Sequence, residues 1–410
     1  MLDRILLSRF RNHRETAVEG TAQFNLLVGE NGAGKTNVLE AISLLSPGRG
    51  LRRASLADMP GQDFDGGFAV SAALATPGAG AEEEPVQLGT GIMAERPGRR
   101  VVQINGAEAP AVRLAEWLSI GWLTPAMDRI FVEGAGARRR FLDRLVLAVR
   151  PDHAGHATRL DNALRERNRL LSDDLAPDPR WLDAIETQLA EAGAMVAAAR
   201  AELVQRLEET LVSLPESPFA RPSLAYQPGG PIDAEVLARA LRDGRPRERA
   251  AQRTLTGPHR DEMLVTMAGK GQPAAECSTG EQKAMLIAIT LAHSQLLESG
   301  VEQRPRLLLL DEVAAHLDPL RREALFDRLR AGSAQVWLTG TELAPFDAIA
   351  REAAVWEVSS GCAPTGLGRK LINDTIEVLG KMAQRKKGRR WNMSIFQAFL
   401  TQRWAILPQT

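Results

Sequence analysis

The sequence predicts an α/β protein whose nucleotide-binding head is assembled from both ends of the chain, with a β-rich addition and a helical arm set between them. Three observations predict it. A glycine-rich loop, Gly29-Glu-Asn-Gly-Ala-Gly-Lys35-Thr36, stands near the start. Ser278-Thr-Gly280-Glu-Gln282 and Leu307-Leu-Leu-Leu-Asp311-Glu312 follow only some 240 to 280 residues later. Between them the apolar pattern changes from short strand-like runs to a long helical stripe. The expected organisation is 1–135 for the first half of the head with its β-rich addition, 136–255 for the arm, 256–360 for the second half of the head, and 361–410 for a basic extension.

Phe24 to Val28 is an apolar run feeding the glycine-rich loop, and Asn37 to Leu45 continues with helical apolar spacing. That is the strand, loop and helix context in which backbone N–H groups cradle phosphates at a helix N-terminus. The segment Gly29, Glu30, Asn31, Gly32, Ala33, Gly34, Lys35, Thr36 and Asn37 is the expected ATP contact. Lys35 would reach the β- and γ-phosphates, and the Thr36 hydroxyl would coordinate Mg²⁺.

Short runs at Ala69 to Leu74, Val86 to Met93 and Val101 to Ile104 alternate with Gly, Pro and acidic turns, which reads as strands; Asn105-Gly106 is a hairpin-turn signal. From Arg138 onward the pattern becomes helical. Trp181, Ile185, Leu189, Ala192, Val196, Ala199, Leu203, Leu207 and Leu211 recur at three- and four-residue steps, predicting one long helix ended by the prolines between 215 and 231. At 1.5 Å per residue it makes a stubby arm of about 40 Å.

Ser278 with Glu281 three positions on is a capping-box pattern, and the same open helix start, with Gly280 and Gln282, suits a γ-phosphate. Both readings stand together. Arg306 to Leu310 reads as a buried parallel strand delivering two acids at its carboxyl end. Asp311 fits the Mg²⁺ role, and Glu312 can orient and deprotonate an attacking water. His316-Leu317-Asp318-Pro319 precedes another helix, and Gln335 to Leu338 is a further core strand running into Thr339-Gly340-Thr341. Thr341 is the expected γ-phosphate sensor there, with a plain turn as the alternative.

Composition narrows the class. The 410 residues carry 51 Lys or Arg and 51 Asp or Glu, so overall charge gives no support for nucleic-acid binding. From Gly361 onward, however, nine Lys or Arg stand against Asp374 and Glu377, and Lys386 to Trp391 is a basic run ending in an aromatic ring. This tail reads either as a phosphate-binding segment or as an incidental extension. Two cysteines, Cys277 and Cys362, and no secretory pattern point to a reducing, cytoplasmic setting. No apolar run approaches the roughly 20 residues that cross a bilayer.

The ordered motifs carry a resemblance. Phe10-Arg11-Asn12-His13, GENGAGKTN at 29–37, GARRRFLD at 136–143, TGPHRDEM at 256–263, CSTGEQK at 277–283 and LLLLDEVAAHLD at 307–318 resemble the ABC-type ATPase heads of the structural-maintenance and Rad50 group, and within it a bacterial recombination-mediator family. The resemblance implies an ABC-type P-loop head that dimerises on ATP. Ser278, Gly280 and Gln282 of one subunit would then act on ATP held by Lys35, Thr36, Asp311 and Glu312 of the other. It also implies single- and double-stranded DNA, at gap junctions, as the ligand, mediator and recombinase proteins as partners, and slow hydrolysis as the release step. The sequence departs from transporter heads in offering Thr339-Gly340-Thr341 in place of a switch histidine, and Asp128 is the nearest polar residue to the expected glutamine loop.

Candidate DNA-phosphate contacts are Arg11, Arg14, Arg49, Arg52, Arg53, Arg138, Arg139, Arg140 and Arg260, with Arg139 and Arg260 equally able to pin the arm to the head. Three other classes compete. A transporter subunit needs its serine-glycine element about 100 residues after the loop. A nuclease-closing head of the Rad50 kind needs a long coiled coil and a Cys-x-x-Cys hook. A nucleotide-gated scaffold would differ in its turnover.

Overall fold

Phe24–Val28 (β3) sits at the centre of a parallel sheet because nothing in it is polar except Asn25, whose amide is satisfied locally by Ala22 and Val336. Its neighbours are Ser119–Leu123 (β8), Arg306–Leu310 (β12), Gln335–Gly340 (β13), Ala353–Glu357 (β14) and the short Thr365–Leu367 (β15), in the order β15-β14-β3-β13-β12-β8. The computed structural model describes residues 1–61, 66–75, 84–96, 98–173, 175, 177–215, 217–298, 304–314, 317–359 and 365–367. Met1–Gly366 forms one compact unit. Apart from Thr365–Leu367, the expected basic extension lies outside the described residues, as do Cys362, His316 and the Lys386 to Trp391 run.

Strands β3 and β12 come from opposite ends of the chain, yet both pair in parallel with β13, which lies between them. The Lys35–Ser43 helix (α1) packs its Val38, Leu39 and Ile42 into a core shared with Leu27, Trp337 and Trp356. The two indoles stack with centroids 5.7 Å apart. Closing this core from the other side is an antiparallel sheet of Leu2–Phe10 (β1), His13–Glu19 (β2), Phe68–Leu74 (β4), Val86–Ile92 (β5), Arg100–Ile104 (β6) and Ala107–Glu108 (β7). The expected strands of the insert are thus present, and the Asn105-Gly106 turn has both residues at positive φ, as a two-residue hairpin requires. The insert does not form that sheet alone, since β1 and β2, ahead of the glycine-rich loop, complete it.

The arm is built from Ala135–Val149 (α2), His153–Leu171 (α3), Pro179–Ser213 (α4) and Ala234–Ala250 (α5). The long helix has the expected stripe from Ile185 to Leu211, with Leu189, Val196 and Leu207 fully buried, each contributing about 1.5–3 kcal/mol, whereas Trp181, expected to open the stripe, is exposed near the helix start. Its 35 residues extend about 52 Å. Asp178 caps its start through Arg180 N, with Pro179 in the first turn. Inside the arm Arg167, fully buried, meets Glu186 and Glu248.

A small sheet joins segments read separately in the sequence: Pro222–Gln227 (β9) pairs antiparallel with Glu262–Met267 (β10), which carries Gln272–Pro273 (β11) on its other edge. Helix α4 also packs against Thr279–Glu298 (α6), so the arm rests on the helix that the serine-glycine element starts. The last α-helix among the described residues, Pro319–Ala331 (α7), is capped by Asp318 through Arg321 N.

Candidate nucleotide site

The glycine-rich loop leaves β3 and enters α1 through Gly34 at φ 114°, a left-handed conformation that suits glycine. A Cβ at Gly34 would also stand 2.7–2.8 Å from the Asn12 and His13 side chains. Those two residues, at the β1–β2 turn, brace the loop from outside: Asn12 Nδ2 donates to Ala33 O at 3.0 Å and His13 Nε2 to Gly34 O at 3.1 Å. Because Gly34 O only accepts, His13 carries its proton on Nε2, and Nδ1 accepts from the Thr16 hydroxyl. Burial holds this imidazole below its ordinary pKa, in keeping with a neutral brace. Asn37 completes the contact by donating to Asn12 Oδ1 at 2.7 Å.

Lys35 is buried, its Nζ donating to the Gly29 and Glu30 carbonyls at 2.6 and 2.8 Å. Burial lowers its pKa, while Glu312 and Asp311 work in the opposite direction. Thr36 Oγ1 donates to Asp311 Oδ1 and Oδ2 at 2.9 and 3.1 Å, across 275 residues of sequence. Burial raises the Asp311 carboxyl, and hydrogen bonds from Thr339 and Thr36 pull it back. The hydroxyl and carboxylate, side by side at the mouth of the phosphate loop, are the hard oxygen donors that Mg²⁺ takes, so these residues fit the expected ion. Glu312 follows at φ 54°, strained for a residue with a side chain.

One hydroxyl indexes both acids, and it belongs to Thr339. Its Oγ1 donates to Asp311 Oδ1 at 2.8 Å and accepts from Glu312 N at 2.9 Å. Thr341 lies beyond the end of β13, exposed. The sequence pointed to Thr341 of the Thr-Gly-Thr segment; the register, in which Leu310 pairs with Leu338, instead places Thr339 beside Asp311.

Ser278 and Gly280 are exposed, and nothing lies within 4 Å of a Cβ built at Gly280. The capping box is formed: Glu281 N meets Ser278 Oγ at 3.4 Å, while Glu281 Oε2 accepts from Ser278 N and Oγ at 2.9 Å. Lys270 at 2.5 Å, together with these bonds, holds the Glu281 carboxyl at about 2. Gln282 is turned inward, donating to Cys277 O at 2.8 Å. Asp128, in the short turn Pro125–Arg129, faces Lys283 of α6 at 3.6 Å. A cavity of about 1010 Å³ reaches Thr36, Asp311 and Glu312, but no residue of 277–283 lines it.

The nine candidate arginines separate into two sets. Arg11 and Arg52 both bind the buried Glu40 of α1, at 2.7 and 3.0 Å. Arg138 pairs with Glu262 at 2.7 Å, and Arg139 donates to Asp261 O at 2.8 Å, so both tie α2 to the TGPHRD segment. Arg49, Arg53 and Arg140 are exposed and have no carboxylate partner among the described residues, and partial burial, then the charges of Arg140 and Arg49, lower the Arg53 pKa. Arg14, on β2, and Arg260 are exposed.

The comparisons with known proteins agree with this geometry. Residues 1–361 match the RecF/RecN/SMC N terminal domain. A protein of Mesorhizobium japonicum named DNA replication and repair protein RecF is 46% identical over 374 residues, covering 88% of this chain and 96% of its own. Its namesake in Caulobacter sp. is 44% identical over 362 residues, with 84% and 92% covered. Among solved structures, the recombination mediator protein RecF-ATP in the RecFOR pathway superposes with a TM-score of 0.76 at 22% identity, over 90% of this chain and 97% of that one, which establishes the shared fold. A match of this identity over nearly the whole of each curated relative settles the family: the chain belongs to the RecF family.

Proposed function

We propose that the protein is an ATP-dependent DNA-binding recombination and repair protein that closes as a homodimer on ATP and Mg²⁺ and opens on slow, DNA-stimulated hydrolysis. The observation that carries this reading is the Thr36–Asp311 contact, which joins the two ends of the chain in one half-site, while Ser278 and Gly280 are exposed and do not line the cavity beside it. A half-site that lacks its phosphate-sensing helix start is completed by a second copy. ATP supplies the phosphoanhydride to be cleaved, and Mg²⁺ supplies charge neutralisation on its phosphates.

In that arrangement Lys35 leaves the Gly29 and Glu30 carbonyls for the β- and γ-phosphates, and Thr36 and Asp311 hold the ion. Glu312 orients the attacking water and takes its proton. Ser278, with the free N–H groups at Gly280, covers the γ-phosphate from the partner, Gln282 shapes that loop, and Thr341 senses the phosphate from the end of β13. Arg49, Arg53 and Arg140 supply the DNA-phosphate contacts, with Arg14 and Arg260 as outlying ones, and gap junctions in the cytoplasm are the substrate. The relatives' names, and the RecFOR pathway of the structural neighbour, support mediator and recombinase partners.

The test is the mass of the Glu312→Gln protein by light scattering, with and without ATP-Mg²⁺. Doubling of the 44.6 kDa monomer only with ATP is expected. A mass unmoved by ATP, with nucleotide bound, would overturn the clamp.

A further inference from the structure

The cavity that begins at Thr36, Asp311 and Glu312 continues along the loop after α1 and beneath α2 of the arm. Its cations are unusually short of anions. Arg49, Arg53 and Arg140 all line it, with Arg53 near each of the other two, and have no carboxylate partners among the described residues. One turn deeper on α2, at the position that shares Arg140's face, Arg144 also lines the cavity. Its guanidinium lies 4.2 Å from the Trp122 ring centroid and donates only to Trp122 O and Met127 Sδ. Arg144 Nε is buried with no hydrogen-bond partner. Burial without a counter-charge pushes its pKa down to about 9. The acids that share the cavity are mostly committed elsewhere: Asp143 to Arg200 and His153, and Asp311 to Thr36 and Thr339. Glu133 and Glu312 remain, Glu312 at the nucleotide end of the groove.

Five arginines line the groove; Arg52 is paired with Glu40, the other four call for a polyanion, and the aromatic lining beside them selects which. Trp122, partly exposed, and Phe141 give it an aromatic, apolar side. A volume of about 1010 Å³ is on the scale of a small-molecule pocket, enough for a few nucleotide units but not for a duplex. Bases locked in pairs cannot stack on a recessed ring, whereas unpaired bases do so readily. We infer that this groove is a slot for one unpaired DNA strand, with its phosphates on Arg49, Arg53 and Arg140 and a base against Trp122. The inference rests on the DNA-binding reading above and narrows it, because the strand would run between the nucleotide half-site and the arm, touching both.

The test is fluorescence anisotropy of a labelled thymidine strand of about 20 nucleotides, and of a duplex of equal length, on the full chain with ATP-Mg²⁺. For Arg53→Glu/Arg140→Glu, affinity for the single strand should fall at least about tenfold and affinity for the duplex less than about threefold. Arg140→Gln gives the same ordering with a smaller fall should the double reversal unfold the protein. A strand carrying 5-iodouracil should crosslink to the peptide that holds Trp122. Equal losses on both DNAs, an unchanged single-strand affinity, or a crosslink elsewhere overturns the slot while leaving DNA binding in place. Loss of the ATP-dependent mass doubling with strand binding intact also overturns it, since the groove is then a contact between subunits. Absence of binding to either DNA by the unaltered protein removes the broader reading as well.

Discussion

The Thr339 hydroxyl lies 2.8 Å from Asp311 Oδ1 and receives the Glu312 amide proton at 2.9 Å, so one side chain on β13 sets the position of both acids on β12. Thr339→Val keeps the shape and removes both bonds. Buried groups left unpaired cost about 1–3 kcal/mol each, and supporting partners of catalytic ligands typically govern 10- to 100-fold in activity. The expected outcome is a loss of ATP hydrolysis of at least about tenfold with nucleotide affinity changed far less, and recovery in Thr339→Ser. Steady-state phosphate release beside a nucleotide titration checks it; an equal fall in affinity would place Thr339 in binding and not in positioning the acids.

Gly34→Ala tests the brace beneath the loop. A methyl group there meets Asn12 and His13 at 2.7–2.8 Å and must also accept φ 114°. Such backbone strain costs about 1–3 kcal/mol. Loss of measurable ATP binding by calorimetry is expected, with a modest fall in melting temperature. Asn12→Ala, which removes only the donor to Ala33 O and the acceptor for Asn37, should weaken ATP binding while leaving the fold intact.

These two cases show what a sequence carries and what it withholds. Lys35, Thr36, Asp311 and Glu312 were legible because each lies in a contiguous motif whose chemistry needs those residue types in that order. Thr339 was half legible: the strand and its threonines were visible, but the reading settled on Thr341, and only the register of β12 against β13 puts Thr339 on the acids. Asn12 and His13 were visible only as a family motif, since their task depends on a hairpin folding beneath a loop 21 residues away. The arginines were hardest. Charge can be counted locally, but Arg138 finds Glu262 at a separation of 124 residues, and nothing near it in sequence foretells that. The same limit hid β1 and β2 as two of the six strands in the sheet that the insert completes.

Asp143 of α2 ties together α3 and α4 inside the arm through His153 and Arg200, which gives stability a pH signature. Burial would raise its carboxyl from the ordinary 3.8, but the hydrogen bond to His153 and the charge of Arg200 outweigh that and hold it at about 2. A depressed acid contributes stability that is present above its unfolded pKa and is lost as pH falls through the folded one. The window is therefore about 4 down to about 2, and the contribution about 2 kcal/mol. Asp143→Asn should flatten the pH dependence of the urea midpoint across that window and lower stability at neutral pH. It leaves Arg200 with only Asp261, at 2.8 Å, as a carboxylate partner among the described residues.

Composite sites in a dimer make a prediction that no single-chain site can satisfy. Lys35→Ala removes the phosphate lysine, and Ser278→Arg blocks the exposed helix start; each homodimer should hydrolyse ATP at background rate. When the two variants are mixed in equal amounts, half of the dimers are mixed, and each holds one site with both lesions and one with neither. Activity should therefore return to about a quarter of the unaltered protein's rate. If Ser278 instead served the ATP bound by its own chain, every site in every dimer would carry one lesion and mixing would restore nothing. Inward-facing Gln282 sharpens the choice of variant: altering it would disturb the Cys277 carbonyl it holds and so confuse folding with catalysis, whereas Ser278 is exposed and its replacement leaves the buried part of α6 as it stands.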